Sequence, residues 1–234
     1  MVLPYTYKAN PHSSHGRILA QLGAGNGRTC IDVGCASGYL AAALSAAGWR
    51  VVGIEPDVAA AEAAKEHCVE VRVAPIDDVD FSTLPPYDAV VFGDVLEHLA
   101  RPEPVLADAT VHLAADGRII ISVPNVANLL VRAGLLLGRF DYTDRGILDR
   151  THLRFFTRRT LGEFVRSCGL TIDRTDATPV PVEEVLTWLR GRRPVLAALS
   201  AITRLRPTLF GYQFVVSCRR PATDPGSGSP SPTR

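Results

Sequence analysis

Short apolar runs rich in β-branched residues alternate with helix-like patterns between residues 28 and 124, and this rhythm is the signature of a parallel sheet with helical crossovers. Five runs read as strands: TCIDVG (29–34), RVVGIE (50–55), VEVRVA (69–74), YDAVVFG (87–93) and GRIIISV (117–123). Each is nearly continuous in apolar residues, as a strand covered on both faces requires. Ser37 and Asp57 stand where caps for the helices after the first two strands are expected, and Gly48 stands where a helix should stop.

After residue 124 the rhythm changes. VANLLVRAGLLLG reads as a helix, RFDYTDRGILDRTHLRFF as a polar aromatic loop, and a helix is predicted from Thr157. There Leu161, Phe164, Val165 and Cys168 fall at i, i+3, i+4 and i+7, and Gly169 supplies the stop. A strand pair, LTIDRTDA (170–177) and GYQFVVSC (211–218), encloses an Arg-rich, proline-broken segment with room for two short helices. The expected organisation is one domain over 1–220, with insertions at about 125–156 and 179–209, and a low-complexity, disordered tail over 221–234.

Composition narrows the function. The 234 residues are 47% hydrophobic and 21% charged with a net charge of +1, so the chain is an ordinary globular one with no global field to recruit nucleic acid. Val185 to Arg220 carries seven Arg and no acid, a local basic patch that reads either as a solvated face or as a peripheral membrane or anion contact. Five scattered cysteines without a CxxC pair support neither disulfides nor a zinc knuckle. The first residues lack the apolar core of a secretory signal, and the longest apolar candidate for a membrane span is broken by Arg132. These features point to a cytoplasmic protein without a transmembrane segment.

The chemistry starts at CIDVGCASGYLAAAL (30–44), a buried strand, the loop Gly34-Cys35-Ala36-Ser37-Gly38, and a helix. Glycines at such a turn let the backbone approach a ligand at the end of the first strand. The loop reads G-x-A-x-G, so the G-x-G-x-x-G of a dinucleotide site is absent, as is a G-x-x-x-x-G-K phosphate loop. Glu55, ending the second strand, suits the ribose hydroxyls of any adenosine cofactor.

IDVGCASGYL and Glu55 resemble the first motif and the acidic second-strand end of the class I S-adenosylmethionine-dependent methyltransferases. GDVLEHLARPEPVL, GRIIISVPN and GRFDYTDRGILDRTHLRFFT are similar to the type-23 methyltransferase domain group, which includes the ubiquinone-biosynthesis O-methyltransferases. The resemblance spans roughly residues 10 to 178, and GYQFVVSC resembles the closing strand. It implies an α/β, Rossmann-like doubly wound fold: a mostly parallel seven-stranded sheet, its last strand antiparallel, with helices on both faces.

By the same resemblance Asp32, Gly34, Ala36 and Gly38 line the methionine and ribose part of S-adenosyl-L-methionine, and Glu55 takes the ribose hydroxyls. Gly93 and Asp94 border the methionine end. Pro75 stands where the family often has an acid for the adenine, which leaves the backbone of Ile76 or the side chain of Asp77 or Asp78 for that contact.

A hydroxyl acceptor must lose a proton, and histidine is the natural base. His98, in DVLEH, is the first candidate and His152, in DRTHLRFF, the second. The competing readings are a packing role for His98 and a lid-orienting role for His152, bonded to Asp149 or Asp141. Asp94, Glu97 and His98 spell D-x-x-E-H, which on a helix would share a face and could hold a divalent ion, but acids beside a helix start are more often solvated and no metal is assigned. Tyr142, Arg145, Asp149 and Arg150 belong to a lid that selects the acceptor, while PHSSH (11–15) closes over the cofactor or starts a helix with Ser13 or Ser14. The expectation is a methyltransferase acting on a hydroxyl of a small molecule, such as a sugar, phenol or quinol. The alternative is a catalytically silent scaffold that meets a partner or membrane through its Arg-rich segment.

Overall fold

The computed structural model describes residues 10–181 and 193–221. The strands are β1 (Thr29–Val33), β2 (Arg50–Ile54), β3 (Glu70–Arg72), β4 (Tyr87–Gly93), β5 (Leu113–Pro124), β6 (Thr171–Thr178) and β7 (Gln213–Arg219). The helices are α1 (Ser14–Leu22), α2 (Tyr39–Ala46), α3 (Val58–Ala64), α4 (Pro102–Val111), α5 (Leu129–Leu136), α6 (Arg158–Ser167), α7 (Arg193–Leu205) and α8 (Pro207–Phe210). The strands form one sheet in the order β3-β2-β1-β4-β5-β7-β6. β1 to β5 pair in parallel, and β7 runs antiparallel between β5 and β6.

Successive residues of a central strand point to opposite faces, and both faces are buried. Ile31, Val33, Val90, Phe92, Ile119 and Ile121 pack with Leu106 of α4 and Leu161 and Val165 of α6. Cys30, Val51, Val91 and Ile120 pack on the other face with Ile18 and Leu22 of α1 and Leu40 and Leu44 of α2. This double cover is why the strands read as unbroken apolar runs rather than as alternating ones. Between β1 and β4 the chain reverses its direction of travel across the sheet, and ligands of open α/β sheets bind at that switch, beyond the carboxyl ends of the strands.

Several elements depart from the sequence pattern. β3 is shorter than 69–74 because it is an edge strand that pairs only with β2, and its Glu70 and Arg72 pair with each other at 2.5 Å. β5 begins earlier than residue 117, since a register shift between Tyr87 and Ala89 lets Leu113 pair with Tyr87. Ser37 does not cap α2; Gly38 holds that position with φ 78° and no side-chain cap. Asp57 caps α3 through Ala60 N–H at 2.8 Å, Gly48 follows the end of α2 with φ 86°, and Ser13 caps α1. α6 begins at a Thr157–Thr160 capping box, with Cys168 at its end and Gly169 (φ 75°) beyond it. The expected insertion over 179–209 lies in part, and the expected tail over 221–234 almost wholly, outside the described residues.

Candidate active site

A cavity of about 320 Å³ opens at the switch point. Gly34, Ala36, Glu55, Ile76, Asp77, Gly93, Asp94 and His98 all line it. Residues far apart in sequence meet there because every contributing loop follows the carboxyl end of a parallel strand.

The β1–α2 loop puts three residues in the left-handed region: Gly34 at φ 69°, Ala36 at φ 46° and Gly38 at φ 78°. For Ala36 that conformation costs about 1–2 kcal/mol. Glu55 offsets it. One carboxylate oxygen accepts from Ala36 N–H at 2.9 Å and the other from Asp57 N–H at 3.0 Å. At Gly34 a Cβ would lie 2.9 Å from the Val95 side chain, so only glycine leaves this turn its shape. Gly38 does not reach the cavity; it turns the chain into α2, and a Cβ there would press on Ala64 of α3 at 3.0 Å.

Asp32 also lies off the cavity wall. It shares the α1 face of β1 with Cys30, is 2% exposed, and leaves Oδ2 without a hydrogen-bond partner. Burial, with the Glu55 charge second, pushes its carboxyl up to about 7. Asp94 has φ 59° and accepts from the Ser122 hydroxyl and from Gln213 Nε2 at 2.7 Å. One carboxylate thus ties the ends of β4, β5 and β7 together. Pro75, Ile76 and Asp77 form the far wall where a short 3₁₀ turn begins, and Asp78 does not line it.

D-x-x-E-H does not act as one helical face. Leu96–His98 is a single 3₁₀ turn, and Asp94 precedes it, bonded to β5 and β7. Instead Glu97, His98 and His152 converge, each offering one ligand atom, all within 4.8 Å of one another. The His152 segment is pinned there because Leu153 and Arg154 donate their N–H groups to the Glu97 carbonyl at 2.8 and 3.0 Å. The Arg154 guanidinium also reaches Glu103 at 2.8 Å.

The two imidazoles meet edge to face, with ring centroids 4.8 Å apart. Nδ1 of His98 lies 3.1 Å from the Thr151 hydroxyl and 3.3 Å from the Thr151 carbonyl. The Thr151 hydroxyl donates to Asp149 at 2.7 Å, which leaves its oxygen to accept from His98. Nδ1 of His152 donates to the Ile147 carbonyl at 3.1 Å, rather than to Asp149 or Asp141. These contacts suit the tautomer of each neutral ring that carries its hydrogen on Nδ1, in which Nε2 is the acceptor atom that a base or a metal ligand offers. Burial, then the neighbouring His98, holds His152 below its ordinary pKa. Glu97 is 1% exposed with no hydrogen-bond partner for either carboxyl oxygen, and burial, followed by the Asp94 charge, raises its pKa well above the usual range. A carboxyl, two imidazoles and an open edge would suit a divalent ion such as zinc by donor type.

The loop between α5 and α6 has little regular structure. Thr143 and Asp149 form an isolated bridge, Arg150 pairs with Asp144 at 2.7 Å, and Phe140 stacks edge to face on Tyr142 and Phe155. Val131 is the buried residue of α5, and the leucines of that helix face outward. Among the described residues, no helix is long and apolar enough to cross a membrane.

Comparison with known proteins agrees with this geometry. The family model described as a methyltransferase domain matches residues 9–175. The ubiquinone biosynthesis O-methyltransferase of Bos taurus, a mitochondrial protein, is 27% identical over 159 residues, covering 63% of this chain and 42% of that protein. Its counterpart from Alkalilimnicola ehrlichii is 31% identical over 110 residues, covering 44% of each. The chain thus spans less than half the length of these curated relatives. In fold it is similar to the magnesium protoporphyrin IX methyltransferase of Synechocystis, solved with bound SAH, at a TM-score of 0.58 and 17% identity, covering 90% of this chain and 83% of that one. With the family model matching most of its length and the sheet carrying the expected antiparallel strand, the chain belongs to the methyltransferase domain family.

Proposed function

We propose that the chain is an S-adenosyl-L-methionine-dependent methyltransferase that acts on a hydroxyl of a small molecule, with His98 as general base. One observation carries the reading: His98 lines the same cavity as the glycine loop and Glu55, with Nδ1 held by Thr151 and Nε2 free.

The residues suit the cofactor. Asp32, a buried carboxyl lacking a partner for one oxygen, lies in β1 next to the cavity-lining Val33 and off the wall itself, so the ammonium and sulfonium of the ligand would act on it through their field rather than by contact. Glu55 spends one lone pair of each oxygen on a backbone amide and keeps others for the ribose hydroxyls. Gly34, Ala36 and Gly93 let the chain come close to the ligand, Asp94 shapes the methionine end, and Ile76 and Asp77 border the adenine. S-adenosyl-L-methionine supplies an electrophilic methyl group.

His98 accepts the acceptor's hydroxyl proton at Nε2 as oxygen takes up the methyl group. The Thr151–Asp149 pair stabilises the imidazolium that forms, since Asp149 is held below its ordinary range by Thr151 and the histidines in spite of its desolvation. Tyr142, Arg145 and Arg150, in the loop between α5 and α6, choose the acceptor.

The unpartnered Glu97 carboxyl beside two free Nε2 atoms favours a second reading, in which a divalent ion on Glu97, His98 and His152 acidifies the hydroxyl. The two are told apart by activity after chelation: loss restored by added metal selects the ion, and unchanged activity selects His98 alone.

The reaction class is tested by calorimetric titration with S-adenosylhomocysteine and with NAD(H). Binding of the thioether alone supports the proposal. Binding of neither would leave the scaffold reading, in which the chain meets a partner or membrane without catalysis.

A further inference from the structure

A second cavity, of about 520 Å³, is lined by residues of the stretch between β5 and β7. Four arginines line it, Arg132 from α5 and Arg158, Arg159 and Arg166 from α6, together with the Thr157 and Thr208 side chains and no carboxylate. Arg159 pairs with Glu163 at 2.9 Å, and Arg132 donates to the Ala127 carbonyl at 2.7 Å. Neither contact neutralises the group as a whole.

The arrangement runs against local electrostatics. The first turn of a helix favours acids, because the exposed amides there carry a partial positive charge, and a cation placed there is unfavourable. α6 has no acid in its first turn and places Arg158 and Arg159 there. The Thr157 hydroxyl caps the Thr160 amide, so the first two amides of α6 add to the same positive field. Arg158, Gly162 and Arg166 follow at four-residue steps along one face, and Gly162 keeps the floor open: a Cβ there would lie 3.3 Å from the Arg166 guanidinium. Guanidinium forks match the oxygens of phosphate two at a time. Four converging cations of which, among the described residues, only Arg159 meets a carboxylate are the local inconsistency expected at a binding site.

The pocket is also within reach of the chemistry. Thr157, on its rim, is five residues from His152, a separation of at most about 18 Å even in extended chain. Asn125 at the end of β5 bridges Phe156, and Val126 donates to the Phe156 carbonyl at 3.0 Å, so this rim is fixed to the sheet edge that holds the cofactor cavity.

We infer that the Arg132–Arg158–Arg159–Arg166 pocket binds a phosphoryl group, as a phosphate ester or a diphosphate, carried by the methyl acceptor. The link to the acceptor rests on the methyltransferase reading; the anion site itself does not.

The test is calorimetric titration of the full chain with inorganic pyrophosphate and with inorganic phosphate, run beside S-adenosylhomocysteine. One pyrophosphate should bind per chain, more tightly than phosphate, with affinity falling at least tenfold in Arg158→Gln/Arg166→Gln while S-adenosylhomocysteine binding is unchanged. That control shows that the variant is folded. Absence of pyrophosphate binding, or equal binding in the variant, overturns the site. Loss of S-adenosylhomocysteine binding in the native chain overturns only the methyltransferase reading. Vesicles of phosphatidylglycerol, with phosphatidylcholine as control, separate the sources: sedimentation that depends on these arginines and is not displaced by pyrophosphate would assign the pocket to a lipid surface and overturn the soluble acceptor.

Discussion

The cofactor cavity and the arginine pocket are built on opposite plans. Around the first, Asp32 and Glu55 are buried, the loop backbone is fixed in left-handed turns, and the short connections follow directly from strand ends. Around the second, the arginines are exposed and come from helices in the long stretch after β5. Buried acids feel little screening and have few ways to relax, so changes there should be large and insensitive to salt. The exposed cations act through a solvent whose Debye length is about 8 Å at physiological ionic strength, so their contribution should fade as salt is added. The preformed half suits a constant ligand bearing positive charge, and the open half suits a variable, anionic one.

The sharpest probe of the buried half is pH. Asp32 titrates near 7 in the fold, against an ordinary value of 3.8. Between those values the unfolded chain has lost the proton and the folded chain keeps it, so stability falls as pH rises through that window and levels off above it. At 1.36 kcal/mol per unit, the loss is on the order of 4 kcal/mol. Urea unfolding at pH 4.5, 6 and 8 should show the decline, and Asp32→Asn should flatten it by one proton's worth. A slope unchanged in the variant would mean that Asp32 is not the group responsible.

Next in size is His98→Ala, expected to lower kcat by about 10²-fold at pH 7, the usual worth of a positioned base. Its Nε2 is free, so the loss should fall on turnover and not on cofactor affinity. A rate that survives would reduce the mechanism to proximity. Glu55→Ala should weaken S-adenosylhomocysteine binding by about 1.5–3 kcal/mol, as hydrogen bonds to a charged acceptor are lost. The Ala36 amide loses its partner in the same step, so Glu55→Gln, which keeps an acceptor oxygen, should recover part of the affinity. Calorimetry at low and high salt should give the same deficit in both variants.

The two halves also differ in how far their chemistry could be read from the chain. Gly34, Ala36 and Glu55 were legible because a strand, a turn and a second strand fix their positions within a few residues. The Glu97–His98–His152 cluster was not, because D-x-x-E-H invites a helical face and takes in Asp94, whereas a 3₁₀ turn sends Glu97 and His98 towards a segment more than fifty residues away. The pairing of Leu153 and Arg154 with the Glu97 carbonyl, and of Thr151 with His98, joins the two segments across that distance. The basic stretch read from composition over 185–220 contains none of the four converging arginines: Arg132 lies on α5 and the other three on α6, where the apolar stripe of Leu161, Phe164 and Val165 drew the reading towards the core. Arg158, Gly162 and Arg166 at four-residue steps were the available signal.

The smallest change tests whether that stripe serves binding or folding. Gly162 sits inside α6, where glycine costs about 1 kcal/mol relative to alanine. It has no left-handed φ to require it, and a new Cβ would meet only the tip of Arg166, a flexible and exposed side chain that can swing away. Gly162→Ala should therefore stabilise the fold by about 0.5–1 kcal/mol in urea unfolding. It should also weaken pyrophosphate binding several-fold, since the displaced guanidinium no longer lies across the pocket floor. Stabilisation with unchanged pyrophosphate affinity would place the anion away from Gly162, on the Arg132 and Arg159 side. Destabilisation would show that Arg166 cannot yield, which would make its position against α6 a packing requirement of the fold.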